Sequence, residues 1–187
     1  MITSRSLLPW FLVPALPLLV PLIAMRFNSE VNWSGFDFVA AYVLLAGTGF
    51  AYRLLTLRGG GLSYRLATGI AVTACLLLIW VNLAVGFIGD EDNPANLLYG
   101  AVLLICGFGA VLARGAPRGL ARTAQAAAVA QFLVPILAYL IWRPNFDANV
   151  LKIFLLNAFW VFLFFVSGRL YLAAARGDPA AAARTGA

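Results

Sequence analysis

Histidine is absent from the 187 residues. With it go the usual haem ligand, most zinc sites and the commonest general base. Charge is scarce as well, since Asp, Glu, Lys and Arg make up only 11% of the chain. There are two cysteines, Cys75 and Cys106, both inside apolar runs, so neither reports on a redox compartment. Carboxylates fall only near the ends of apolar runs, and Ser167-Gly168 has no partner base. Few reactions are open to such a chain, and a non-enzymatic protein without a cofactor is expected.

What the sequence has in abundance is apolar length. Hydrophobic residues make up 63% of it and the mean hydropathy is +0.93, more than a soluble core of this size requires. A helical crossing of the bilayer takes ~20 apolar residues. Six such runs are present, at about residues 7–25, 36–57, 65–88, 94–113, 123–142 and 150–174. A transmembrane barrel would need segments of ~10 alternating residues, whereas the run over residues 101–113 is apolar throughout. The expectation is an all-α integral membrane protein, a six-transmembrane-helix bundle forming one domain over residues 1–175. An Ala-rich tail over residues 176–187 reads as disordered. The first run is too long for a secretory signal and lacks a small-x-small cleavage site, so it reads as a retained helix.

Charge orders these runs. One set of connections and ends holds Arg5, Arg53, Arg58, Arg65, Arg114, Arg118, Arg122, Arg169, Arg176 and Arg184, with Asp178 as its only acid. The alternate set holds Arg26, Arg143 and Lys152 against Glu30, Asp37, Asp90, Glu91, Asp92 and Asp147. Positive charge resists translocation, so both termini are expected inside and the acidic connections outside. Five spans would split the basic fourth connection from the basic tail. The arginines are scattered singly, which argues against nucleic acid. Trp33 and Trp142 mark external boundaries and Tyr64 an internal one. Gly47, Gly49, Gly69, Gly100, Gly107 and Gly109 suit close helix approach in lipid.

The densest polar stretch is residues 89–96. Asn93 has the form of a helix N-cap with Pro94 at the first helical position, and Asp90, Glu91 and Asp92 sit beside the positive end of the fourth helix. These three acids are weak candidates for a divalent cation, since the spacing of a calcium loop is missing. Asn93-Pro94-Ala95 also matches the aquaporin tripeptide, but the second copy those channels need is absent.

Deeper in the bilayer, Asn82 and Asn157 each lie about 12 Å below the external surface at the helical rise. They suggest a polar pocket, open to the outside and lined by Tyr42, Asn82, Tyr99 and Asn157, with Trp80 and Trp160 as walls. The alternative is that each amide bonds a neighbouring helix. Gln125 and Gln131, six apart, do not share a helical face. Cys75 and Cys106 fall near mid-span on adjacent helices and read as small hydrophobes. Pro9, Pro14, Pro17 and Pro21 predict a kinked first helix.

The run Trp80-Val81-Asn82-Leu83-Ala84-Val85-Gly86, followed after the acidic turn by Asn93-Pro94-Ala95-Asn96-Leu97-Leu98-Tyr99, resembles an uncharacterised group of small bacterial multi-pass inner-membrane proteins. The likeness extends over about residues 31–142 and implies a bacterial cytoplasmic membrane, without an activity. A structural or interaction subunit of a membrane assembly is therefore expected, its partners being lipids, other membrane subunits or itself. The alternative is a small transporter or binder of a lipid-like ligand through the external pocket.

Overall fold

Prolines dictate the first helical segment of the computed structural model, which describes residues 8–28, 31–57, 61–89, 92–143 and 148–177. Helix α1 (Leu8–Ala15) gives way to a 3₁₀ turn (Leu16–Leu18) around Pro17, and α2 (Leu19–Phe27) resumes beyond it. Proline removes an N–H and crowds the preceding turn, so the expected kink appears as this break. Helix α3 (Gly35–Thr56) is capped by a reciprocal box. The Ser34 N–H and Oγ–H donate to Asp37 Oδ2 at 2.7 and 2.8 Å, and the Asp37 N–H returns to Ser34 Oγ at 3.3 Å. Trp33 meets Phe38 edge-on at 5.3 Å, which adds a hydrophobic staple to the cap.

The chain divides into two compact units, residues 1–53 and 54–187. Four helices build the second: α4 (Leu62–Ala84), α5 (Leu98–Ala113), α6 (Pro117–Trp142) and α7 (Ala148–Arg176). Helix α6 packs against α5 and α7, and α7 also packs against α4. Five helical stretches of the described residues are long and apolar enough to cross a membrane: Gly35–Thr56, Leu62–Ala84, Pro94–Ala113, Pro117–Trp142 and Asn149–Arg176. A shorter apolar helix, Leu12–Phe27, precedes them. No strand occurs among the described residues. The described residues are thus helical, as expected, and five long apolar helices with a shorter sixth are compatible with a membrane bundle.

Some boundaries differ from expectation. Helix α4 stops at Ala84 because Gly86 (φ 67°) turns the chain, with Val85 and Gly86 N–H both on the Val81 carbonyl at 3.0 Å. Phe87 then enters the core. Helix α6 starts six residues early, at Pro117, where proline suits the first helical position. Of the expected disordered tail over residues 176–187, Arg176 belongs instead to the last turn of α7, and residues 178–187 lie outside the described residues.

Small residues set the spacing of the helices. Ala121, Ala124, Ala127 and Ala128 form the buried face of α6. A Cβ on Gly168 of α7 would lie 3.3 Å from Gln125 Cγ, and one on Gly109 of α5 would fall 2.4 Å from Thr123 Oγ1. Backbone approach of this kind is how helices associate in lipid, where no hydrophobic force drives them together. Gly47, Gly49, Gly100 and Gly107 instead meet nothing within 4 Å, so tight packing accounts for Gly109 and not for these four.

Candidate functional site

Helix α7 is fastened to α4 at three levels. Trp160 Nε1 donates to the Ala74 carbonyl at 3.1 Å, Ser167 Oγ donates to the Ala67 carbonyl at 2.9 Å, and the Tyr171 and Thr68 hydroxyls share a bond of 2.9 Å. Each polar group in this seam is buried, and the bonds supply the partners that lipid cannot. Ser167, the one serine singled out by its neighbour glycine, is thus committed to holding two helices together.

A second polar cluster joins α5, α6 and α7. Asn157 Nδ2 donates to Tyr99 Oη at 2.9 Å and to the Ile153 carbonyl at 2.8 Å, while its Oδ1 accepts from Gln131 Nε2 at 2.9 Å. All three side chains are buried, Gln131 completely. Gln131 Oε1 has no partner among the described groups. Pro135, four residues further along α6, has no N–H to give the Gln131 main-chain carbonyl, so the helix lacks that one i to i+4 bond.

A groove of about 350 Å³ lies at the end of the bundle that carries Ile88, Gly89 and Asn93. Pro135, Ala138, Tyr139 and Trp142 form its α6 wall, and Asn149, Val150, Ile153 and Phe154 its α7 wall. The α4–α5 connection closes the third side with Ile88, Gly89 and Asn93. Among the described residues no charged side chain lines it. Gln131, Asn157 and Tyr99 do not line it; Pro135 and Ile153, which do, lie one helical turn from Gln131 and Asn157.

The described parts of the connection are braced by its own residues. Asn93 Oδ1 accepts from Ala95 N–H at 3.0 Å, which makes it the N-cap expected before Pro94, and a 3₁₀ turn (Pro94–Leu97) leads into α5. Asn96 Oδ1 accepts from the Phe87 and Ile88 N–H groups at 3.1 and 2.9 Å, and Nδ2 donates to the Ile88 carbonyl at 3.3 Å. The two asparagines of the Asn-Pro-Ala-Asn run therefore brace their own loop. Phe87 packs at a tilt against Tyr99 at 4.8 Å and edge-on against Trp160 at 4.7 Å, which anchors the loop in the core.

Of the residues expected to line a pocket, Tyr99, Asn157 and Trp160 come together in the core around Phe87 and the amide cluster, below the groove. Asn82 does not face Asn157. Its Nδ2 donates to Leu78 of its own helix at 2.7 Å, and its Oδ1 is buried without a partner. Trp80 is part-buried on α4, and Tyr42 belongs to the first unit. Of the weak metal candidates, Asp90 and Glu91 lie outside the described residues and Asp92 is exposed. Cys75 and Cys106, on α4 and α5, are free, part-buried and packed against the same core cluster. Sequence reasoning missed Gln131 and the groove walls, although a lone glutamine in an alanine run with proline four residues on was a usable signal. Comparison of the chain with protein families, curated proteins and solved structures finds no match.

Proposed function

We propose that this is a non-catalytic multi-pass protein of the bacterial cytoplasmic membrane that holds a small lipid-like ligand in the groove between α6, α7 and the α4–α5 connection. The observation that carries this reading is the groove itself, about 350 Å³, apolar and aromatic in most of its lining with Asn93, Asn149 and Tyr139 as its polar side chains. Cavities of that size and lining are the usual form of a small-molecule site. The charge pattern supports placing the groove outside and both termini inside, and the resemblance of residues 31–142 supports a bacterial membrane. Counting six crossings treats α1, the 3₁₀ turn and α2 as one span, whose 20 residues reach about 30 Å.

Native mass spectrometry of protein purified in mild detergent tests this. A bound neutral adduct is expected on the wild type and should be lost in Asn149→Trp, which obstructs the groove from its exposed rim. An adduct that survives that substitution places the ligand elsewhere.

A second reading, an interaction subunit of a membrane assembly, is favoured by Gly100 and Gly107. Seven residues apart on α5, they share a face and meet nothing within 4 Å. A partner helix would approach closely there. Gly107→Leu should then remove a copurifying protein without lowering stability, and an unchanged set of partners would argue against it.

A further inference from the structure

Helices α6 and α7 run antiparallel, and their contact decides which side chains share its outer edge. A Cβ on Gly168 would lie 3.3 Å from Gln125 Cγ and 3.4 Å from the Ala121 carbonyl oxygen, so Gly168 faces α6. Ser167, one residue earlier, bonds Ala67 of α4. Each residue turns a helix by about 100°, so Arg169 continues past α6 to the outer side, where it is exposed. Arg176, seven residues on and also exposed, shares that side. On α6, Arg118 and Arg122 precede Gln125 at helical spacing, and all three are exposed on the flank toward α7. Four arginines thus border one seam, with Arg122 level with Arg169 and with Arg118 and Arg176 nearer the helix ends.

We propose that this seam binds an anionic phospholipid with two phosphate groups, one held between Arg122 and Arg169 and the other between Arg118 and Arg176. The proposal does not rest on the groove, which lies at the other end of these helices. Within the second unit the one described acid, Asp92, is in the α4–α5 connection at that other end. Even with Asp178 counted from the sequence, four positive charges meet one negative. Arg118 and Arg122 are like charges at i, i+4, and Arg118 stands in the first turn of α6, where no acid balances the positive end of the helix dipole. An anion offsets both. Guanidinium groups suit phosphate in particular, because their paired N–H donors match its oxygens. The same side of the seam continues toward mid-helix as Val129 and Phe132 of α6 and Phe162 and Phe165 of α7, all exposed. Acyl chains would cover that strip, whereas a soluble phosphate compound or an acidic peptide would leave it bare.

The full chain, stripped of lipid in mild detergent at about 0.15 M salt, is titrated with tetraoleoyl cardiolipin, dioleoylphosphatidylglycerol and dioleoylphosphatidylcholine. Native mass spectrometry reads the adducts. Cardiolipin should bind about ten-fold more tightly than phosphatidylglycerol, the order of one further charge-assisted contact, and phosphatidylcholine should bind most weakly. The double variant Arg122→Gln with Arg169→Gln should weaken cardiolipin about twenty-fold, the loss of two charges near a lipid surface. Arg65→Gln with Arg114→Gln removes the same charge from the same end but not from the seam, and should leave cardiolipin affinity unchanged. Equal losses in the two double variants would show that net charge alone attracts the lipid, which overturns the site. Phosphatidylglycerol binding as tightly as cardiolipin overturns the claim for two phosphates. Displacement of cardiolipin by an equal concentration of inorganic pyrophosphate would mean that the acyl chains add nothing, which overturns the lipid as occupant. The comparison among lipids uses the unaltered protein, so it stands even where a variant fails to fold.

Discussion

Single side chains decide how this protein tolerates polar atoms in an apolar setting. Asn157 holds partners on two other helices, so Asn157→Leu removes bonds to Gln131 and Tyr99 at once and leaves both buried partners short. Bonds of this kind in membrane bundles are worth about 0.6–2 kcal/mol each, and a lower melting temperature in detergent is expected. An unchanged melting temperature would mean the cluster contributes nothing to the fold. Asn82→Leu should behave differently, since Asn82 bonds only its own helix and carries an unpaired buried oxygen. The two amides looked equivalent from the sequence because depth follows from residue number, while partners follow from helix rotation, which continuous apolar runs do not reveal. Gln131 was passed over for the same reason. Its distance from Gln125 on the helical wheel is readable, but which of the two faces inward depends on where α5 and α7 pack.

At the scale of helices, length and composition carried most of the information. The second and sixth expected spans agree with the observed helices to within two residues, and the fourth does once the 3₁₀ turn Pro94–Leu97 is counted with α5. The third was drawn too long because Val85 to Ile88 is apolar, and composition cannot distinguish a helical turn from a loop whose Phe87 is itself part of the core. The Ser34–Asp37 cap of α3 was readable as a Ser-x-x-Asp pattern and went unused. Ser34→Ala should cost about 1 kcal/mol, seen as faster hydrogen exchange in the first turn of α3, and unaltered exchange there would contradict the cap. Among the glycines, Gly109→Val should destabilise by about 1–3 kcal/mol, because its new carbons would overlap Thr123, while Gly107→Val meets open space and should be near neutral. Equal effects of the two would show that α5 and α6 do not approach as described.

For the molecule as a whole, the proposed orientation connects charge, groove and ligand. The groove lies at the end bearing the α4–α5 connection and the start of α7, where Trp142 sits at an expected headgroup boundary. If that end faces outward, a ligand enters from the outer leaflet or the periplasm. The opposite end carries the Arg114 to Arg122 connection, and Gly115 (φ 84°) and Pro117 make the turn there tight. The most direct measurement is labelling of single cysteines in intact bacterial cells with a membrane-impermeant maleimide, in a background where Cys75 and Cys106 are replaced by alanine. Asn149→Cys, at the groove, should label from outside, and Arg118→Cys should label only after the cells are opened. Labelling of Arg118→Cys in intact cells, with Asn149→Cys protected, would contradict the orientation and close the groove to any ligand arriving from outside.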